Sequence, residues 1–133
     1  MNNIDLMNYW IKSSDKDYDV MLDLKEKNRN TYALFFGQLL IEKLLKGYYA
    51  KINKNAPYAP KAHDLVYLAN KVQLELTEEQ EKIFNIITKF NMDARYDDYK
   101  MEFANKCTDE YTEEQIKNIE EIRKWLKELL IQK

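Results

Sequence analysis

The sequence predicts an all-α protein, an up-and-down bundle of four to five helices forming one domain over residues 1–133. Three observations carry this reading. Glycine and proline number two each, too few for the many tight turns that sandwiches and barrels need. Apolar residues recur at helical spacing along most of the chain. Two Thr-Glu-Glu-Gln segments, at 77–80 and 112–115, fit the capping box, in which Thr accepts from the N3 amide and Gln reaches back. A chain of this length buries roughly two thirds of the surface its unfolded form exposes, so one hydrophobic core suffices.

The first helix is expected over residues 4–27. Met7, Trp10, Tyr18, Met21 and Leu22 recur close to helical spacing, while Asp15, Lys16, Asp23, Lys25 and Glu26 supply a wet face. The adjacent Ser13 and Ser14 are a place for a kink or a restart, because serine competes for backbone hydrogen bonds. The second helix, over 31–53, is the least amphipathic. Ala33, Leu34, Gly37, Leu40, Ile41, Leu44, Leu45 and Tyr48 fill one broad arc, and the opposite arc mixes Tyr32, Phe35, Phe36, Leu39 and Tyr49 with Gln38, Glu42, Lys43 and Lys46. A helix apolar almost all round is buried on more than one side. It is either the centre of the bundle or the face that meets a second subunit.

Both prolines, Pro57 and Pro60, fall in the linker at 53–60 and end that helix. A third helix is expected over 61–73, with the stripe Leu65, Leu68, Ala69 and Val72 and with Asp64 in its first turn. The two Thr-Glu-Glu-Gln boxes then open the fourth and fifth helices. The fourth carries Ile83, Phe84, Ile86, Ile87 and Phe90; the fifth carries Ile116, Ile119, Ile122, Leu126, Leu129 and Leu130. Residues 93–111, polar and rich in tyrosine, read as an ordered loop.

Composition excludes several kinds of chemistry. The net charge is −2, with 21 basic and 23 acidic residues, so any attraction for phosphate must come from a local basic cluster. One cysteine, Cys107, and one histidine, His63, can form neither an internal disulfide nor a structural zinc site. Two glycines cannot build a phosphate-cradling loop. The acidic pairs Glu78-Glu79 and Glu113-Glu114 belong to capped first turns and need no metal. No metal and no cofactor are expected. The first residues lack a basic region followed by an apolar run, and no apolar run approaches the roughly 20 residues that span a bilayer. A cytoplasmic protein without membrane contact is the expectation.

Three groups of residues are candidates for chemistry. Gln38, Glu42 and Lys46 stand at successive i, i+4 steps, with Lys43 in the same half of the helix. They are either a satisfied structural set, within the chain or across a dimer, or a ligand-facing one, since polar groups among aromatics are partly buried and need partners. His63 precedes Asp64-Leu65 at the mouth of a helix, where it serves as a cap, a tether to another helix or a general acid or base. Arg95-Tyr96 is a basic-aromatic pair able to hold a phosphate and stack on a base, or to anchor its loop through Asp97 or Asp98.

Trp10 and Asp17, then Phe36-x-Gln38-x-x-x-Glu42-Lys43-x-Leu45-Lys46, then the proline linker, His63-Asp64-Leu65-x-x-Leu68 and Ala94-Arg95-Tyr96 together resemble the HEPN domain (higher eukaryotes and prokaryotes nucleotide-binding). The likeness runs over about residues 8–130. It implies a helical bundle, commonly a homodimer, often found beside a small nucleotidyltransferase as a toxin–antitoxin or related pair. On that resemblance Lys43, Lys46, His63 and Arg95 would contact nucleotide or nucleic acid, with Gln38, Glu42, Asp64 and Tyr96 in support. Some branches are metal-independent ribonucleases built on Arg, four to six residues, then His. Here the three positions that would carry that arginine are Ala56, Pro57 and Tyr58. The expected role is therefore non-catalytic association. An RNA-cleaving toxin using His63 with nearby basic residues and a purely structural dimeric domain are the alternatives.

Overall fold

A computed structural model of the chain describes residues 1–132. Among the described residues there are six helices and no strand: α1 (Asn3–Glu26), α2 (Asn30–Ile52), α3 (Leu65–Lys71), α4 (Glu78–Asp93), α5 (Asp97–Lys106) and α6 (Asp109–Ile131). The all-helical bundle expected from the sequence is present. None of its helices is long and apolar enough to cross a membrane.

Helix α1 starts at Asn2, whose side chain accepts from the Asp5 amide at 2.8 Å. It runs unbroken past the two serines. Ser14 is fully buried, and its Oγ donates to the Leu40 carbonyl at 2.8 Å, so the hydroxyl joins α1 to α2 instead of kinking α1. Two residues with positive φ, Asn28 (58°) and Gln73 (60°), end α1 and α3. In each case the following amide reaches back to close a Schellman motif, Arg29 N to Leu24 O at 2.8 Å and Leu74 N to Ala69 O at 3.0 Å.

Helix α2 is the axis of the bundle and packs against all five others. Most of its apolar surface is thus covered within one chain, with Tyr32 and Ile52 near its ends exposed and Phe35, Phe36 and Leu39 half-buried, which accounts for much of the two greasy arcs seen in its sequence. Leu34, Leu40, Ile41, Leu44 and Leu45 are fully buried. Its two glycines are points of close approach. A β-carbon on Gly37 would collide with Ile119 Cδ1 of α6, and one on Gly47 would sit 3.3 Å from Trp10 Cβ of α1. Ion pairs link the outer helices, with Asp15 of α1 held by Arg123 at 3.1 Å and Lys127 at 2.7 Å on α6. At the C-terminal end of α6, Lys51 Nζ donates to the Leu129 and Leu130 carbonyls at 2.9 and 3.1 Å, and also to that of Gln132. A lysine from α2 thereby satisfies two of the orphan carbonyls in the last turn of α6 and that of its cap residue.

Three boundaries differ from the expectation. Helix α3 begins at Leu65, with Asp64 as its N-cap accepting from Tyr67 N at 3.1 Å, so His63 belongs to the linker and Asp64 precedes the first turn. Residues 93–111 are mostly helical, not a loop. Asp97 and Asp98 favour the start of α5, Lys106 favours its end, and Phe103 alone anchors it, stacked on Phe90 with centroids 5.6 Å apart. One buried apolar residue leaves no periodic stripe to read. Lastly, α6 starts at Asp109 with Thr108 as the cap. The box at 112–115 does not form; Thr112 and Gln115 lie on the buried face, one turn inside the helix. The box at 77–80 does form, with Gln80 N to Thr77 Oγ1 at 3.1 Å and Thr77 N to Gln80 Oε1 at 2.9 Å.

The turn after α3 and the buried thiol each carry a measurable consequence. Left-handed backbone is costly for a residue with a β-carbon, so Gln73→Gly raises unfolding free energy by about 0.5–1 kcal/mol in urea denaturation, even after the larger chain entropy of glycine is subtracted. Burial pushes the Cys107 thiol up to about 11 from its ordinary 9.0. A thiol held neutral by the fold but ionised when unfolded contributes stability that is intact below pH 9 and is lost as pH rises through 11. Cys107→Ala flattens the alkaline fall measured over that window.

Candidate functional site

The polar residues of α2 form one side of a continuous buried network. Glu42 is 5% exposed, and a carboxylate so enclosed must be paired and hydrogen-bonded. Its Oε2 accepts from Lys46 Nζ at 3.0 Å. Its Oε1 accepts from Gln38 Nε2 at 3.1 Å and lies 2.7 Å from His63 Nδ1. With a carboxylate on Nδ1, the neutral imidazole carries its proton there and leaves Nε2 as the basic nitrogen. The same Gln38 Nε2 donates to the His63 carbonyl at 2.9 Å, so α2 holds both the ring and the backbone of this linker residue. Thr88 Oγ1 of α4 accepts from Leu65 N at 3.0 Å and secures the start of α3 beside them.

The network continues into α4. Asn91 Nδ2 donates to Gln38 Oε1 at 2.8 Å. Asn91 in turn receives Arg95, through Nη2 to its Oδ1 at 2.5 Å and through Nε to its carbonyl oxygen at 2.9 Å. The guanidinium also lies over the Tyr96 ring, 5.2 Å from its centroid. A cleft of about 480 Å³ opens at this end, lined by His63, Thr88, Asn91, Met92, Arg95, Tyr96, Asp98 and Tyr99. Its mouth is aromatic and half exposed: Tyr96 and Tyr99 are 51% and 45% accessible, and the His63 side chain is 59% accessible.

The predicted site residues therefore divide. His63, Arg95 and Tyr96 come together in the cleft, although 32 positions separate His63 from Arg95 (95 − 63). Gln38 and Glu42 stand behind them, buried. Asp64 caps α3. Lys46 is tied to Glu42 and lies 5.6 Å from the Trp10 ring centroid, and Lys43 pairs with Asp17 of α1 at 2.7 Å. Neither lysine lines the cleft. The residue that sequence reasoning passed over is Asn91. It stands four after Ile87 and seven after Phe84, a polar side chain on the buried stripe of α4, and that placement was its signal. Tyr99 and Asp98 were hidden because the segment read as a loop. Among the described residues no group of histidine, cysteine and acidic side chains is arranged to hold a metal ion.

Removing one member of a buried ion pair strands the other. Lys46→Met is expected to lower unfolding free energy by about 3 kcal/mol, and the double change Glu42→Met with Lys46→Met to regain at least half of that. Urea denaturation of the three proteins measures both numbers. A double variant as weak as the single one would show that Glu42 is held by its amide and imidazole partners rather than by the lysine.

No curated protein and no solved structure matches this chain. A family model does. The HEPN domain model covers residues 7–129, nearly the whole length and every residue of the network and cleft, so the chain belongs to the HEPN family.

Proposed function

We propose that this HEPN chain is a non-catalytic, cytoplasmic nucleotide- or nucleic-acid-associated protein that takes the phosphate and base of its ligand in the His63–Arg95 cleft. The observation that carries this is the arrangement at the mouth. A guanidinium tied down on one side by Asn91, with N–H groups left over, stands among Tyr96, Tyr99 and His63. Planar guanidinium groups suit phosphate oxygens, and tyrosine rings stack on bases without regard to their identity. Asp98 at the rim favours a ligand with a donor edge beside its phosphate. With a net charge of −2, binding rests on this local feature and weakens as salt rises. We further read the protein as a homodimer that pairs with a small nucleotidyltransferase in a toxin–antitoxin-like system, as the HEPN family membership suggests.

Ligand binding to the folded state raises the melting temperature. Mononucleotides or short RNA are expected to raise it in the wild type, with Arg95→Gln and Tyr96→Ala each reducing the shift by at least half. A purified nucleotidyltransferase is the parallel test for the partner, and solution mass is the test for the dimer. Equal melting temperatures with and without every nucleotide, RNA and transferase tried would end this reading.

A second reading, RNA cleavage using His63, is favoured by one feature. The Glu42 carboxylate on Nδ1 leaves Nε2 available as a general base at the edge of the cleft. A cleavage assay that compares wild type with His63→Ala decides it. Equal background activity in the two proteins removes it.

A further inference from the structure

The bonds between Arg95 and Glu42 have a direction. A guanidinium only donates and a carboxylate only accepts. The two side-chain amides between them are therefore each confined to one orientation, oxygen toward Arg95 and nitrogen toward Glu42. Asn91 Oδ1 faces Nη2 of Arg95, Asn91 Nδ2 faces Gln38 Oε1, and Gln38 Nε2 faces Glu42 Oε1 and the His63 carbonyl. Gln38 is fully buried and Asn91 is 4% exposed, so water does not compete for these bonds and a turned amide would oppose like atoms. Arg95 itself is exposed at the cleft. A long, exposed arginine ordinarily samples many rotamers and loses that freedom when it binds an anion. Here two bonds to one asparagine hold it beforehand.

We propose that Asn91 and Gln38 are positioning residues for an anion site at Arg95: Asn91 fixes the guanidinium, and Gln38, aligned by Glu42, fixes Asn91. The inference rests on reading the cleft as a site for a phosphate-bearing ligand, and it assigns the work of pre-organisation to two amides, Gln38 behind the cleft and Asn91 in its wall with its oxygen committed to Arg95 and its nitrogen to Gln38. Gln38 lies off the cleft, and Asn91 already bonds Gln38 through Nδ2 and Arg95 through Oδ1, so on this reading each acts on the anion through Arg95. That distinguishes positioning from a general effect on the fold, because a residue that acts through Arg95 has nothing to act through once Arg95 is gone.

The test is a double-mutant cycle on the full chain with sulfate as the probe, a dianion throughout the working pH range, followed by amide chemical shifts at constant ionic strength. Arg95→Gln is expected to weaken sulfate about tenfold, the scale of one charge-assisted hydrogen bond, and Asn91→Leu about threefold to tenfold. Arg95→Gln combined with Asn91→Leu should bind within about twofold of Arg95→Gln alone, because non-additivity is what an indirect role requires. Gln38→Met should behave likewise, with a smaller single loss. If Asn91→Leu fails to fold, as loss of its dispersed amide spectrum would reveal, the cycle with Gln38→Met decides the matter, since the adaptable methionine fills the glutamine's space.

Fully additive losses, or a folded Asn91→Leu protein that binds sulfate as the wild type does, overturn the positioning role and leave the cleft standing as a site. A wild type that binds no sulfate overturns both. Sulfate bound with a non-additive cycle, but without nucleotide binding, supports the positioning role and removes only the nucleotide reading.

Discussion

Helix α2 packs against every other helix of the chain, yet it carries glutamine, glutamate and two lysines in its middle turns. Taking Glu42 out of water costs several kcal/mol unless its charge and lone pairs are matched inside the fold. Much of the arrangement around α2 answers that demand. Lys46 compensates the charge, Gln38 fills one lone pair, and His63 is drawn out of the linker to fill another. Because Gln38 is then committed through its nitrogen, its oxygen must find a donor on α4, which is Asn91. Lys43, pointing the other way, finds Asp17 on α1. The placement of the linker, the register of α4 against α2 and the approach of α1 are thus each tied to one polar arc.

That arc also accounts for which parts of the site were legible in the sequence. Periodicity showed that α2 is buried on several sides and that its polar residues needed partners, but spacing along one helix cannot say where the partners come from. His63 and Arg95 stood out because each is chemically distinctive, one as the sole histidine, the other beside a tyrosine. Asn91 and Tyr99 are not distinctive by type. Asn91 matters only because it falls where α4 faces Gln38, and that is a tertiary fact. In the fold, strong stripes and the capping box at 77–80 identified helices, whereas α5 escaped because a single phenylalanine anchors it. The box pattern at 112–115 misled for a related reason. Thr108 with Asp109 and Glu110 also makes a good helix start, and the earlier start turns Thr112 and Gln115 onto the same buried face as Ile116 and Ile119.

Scarce glycine shaped the bundle in two ways. Both glycines went to α2, where they let α6 and α1 approach more closely than a β-carbon permits at those points. None was left for the helix ends, so Asn28 and Gln73 take the left-handed position that glycine usually fills. Asparagine tolerates that conformation through local hydrogen bonding; glutamine, with a longer side chain, does so less readily. The turn after α3 is thus among the less favourable local structures in the chain, while the close contacts around α2 are the ones a substitution would most directly disturb.

On the proposed reading, a nearly neutral protein takes an anion without a basic surface, at a cleft whose lining holds Arg95 and, at the rim, Asp98. Glu42 and Lys46 cancel, as do Asp17 and Lys43, so the cationic groups that look most suggestive in the sequence supply no free charge. Arg95 is different. Its partners, Asn91 Oδ1 and the Asn91 carbonyl, are neutral dipoles, which orient the guanidinium without neutralising it. A carboxylate in place of that asparagine would hold the arginine as well and consume its charge. An amide leaves the guanidinium's charge uncancelled, and the buried carboxylate that ultimately orients the amide stays two residues further back, beyond Gln38, on Glu42. The separation lets a single ionised acid order the site while an arginine two amides away keeps its charge for a ligand.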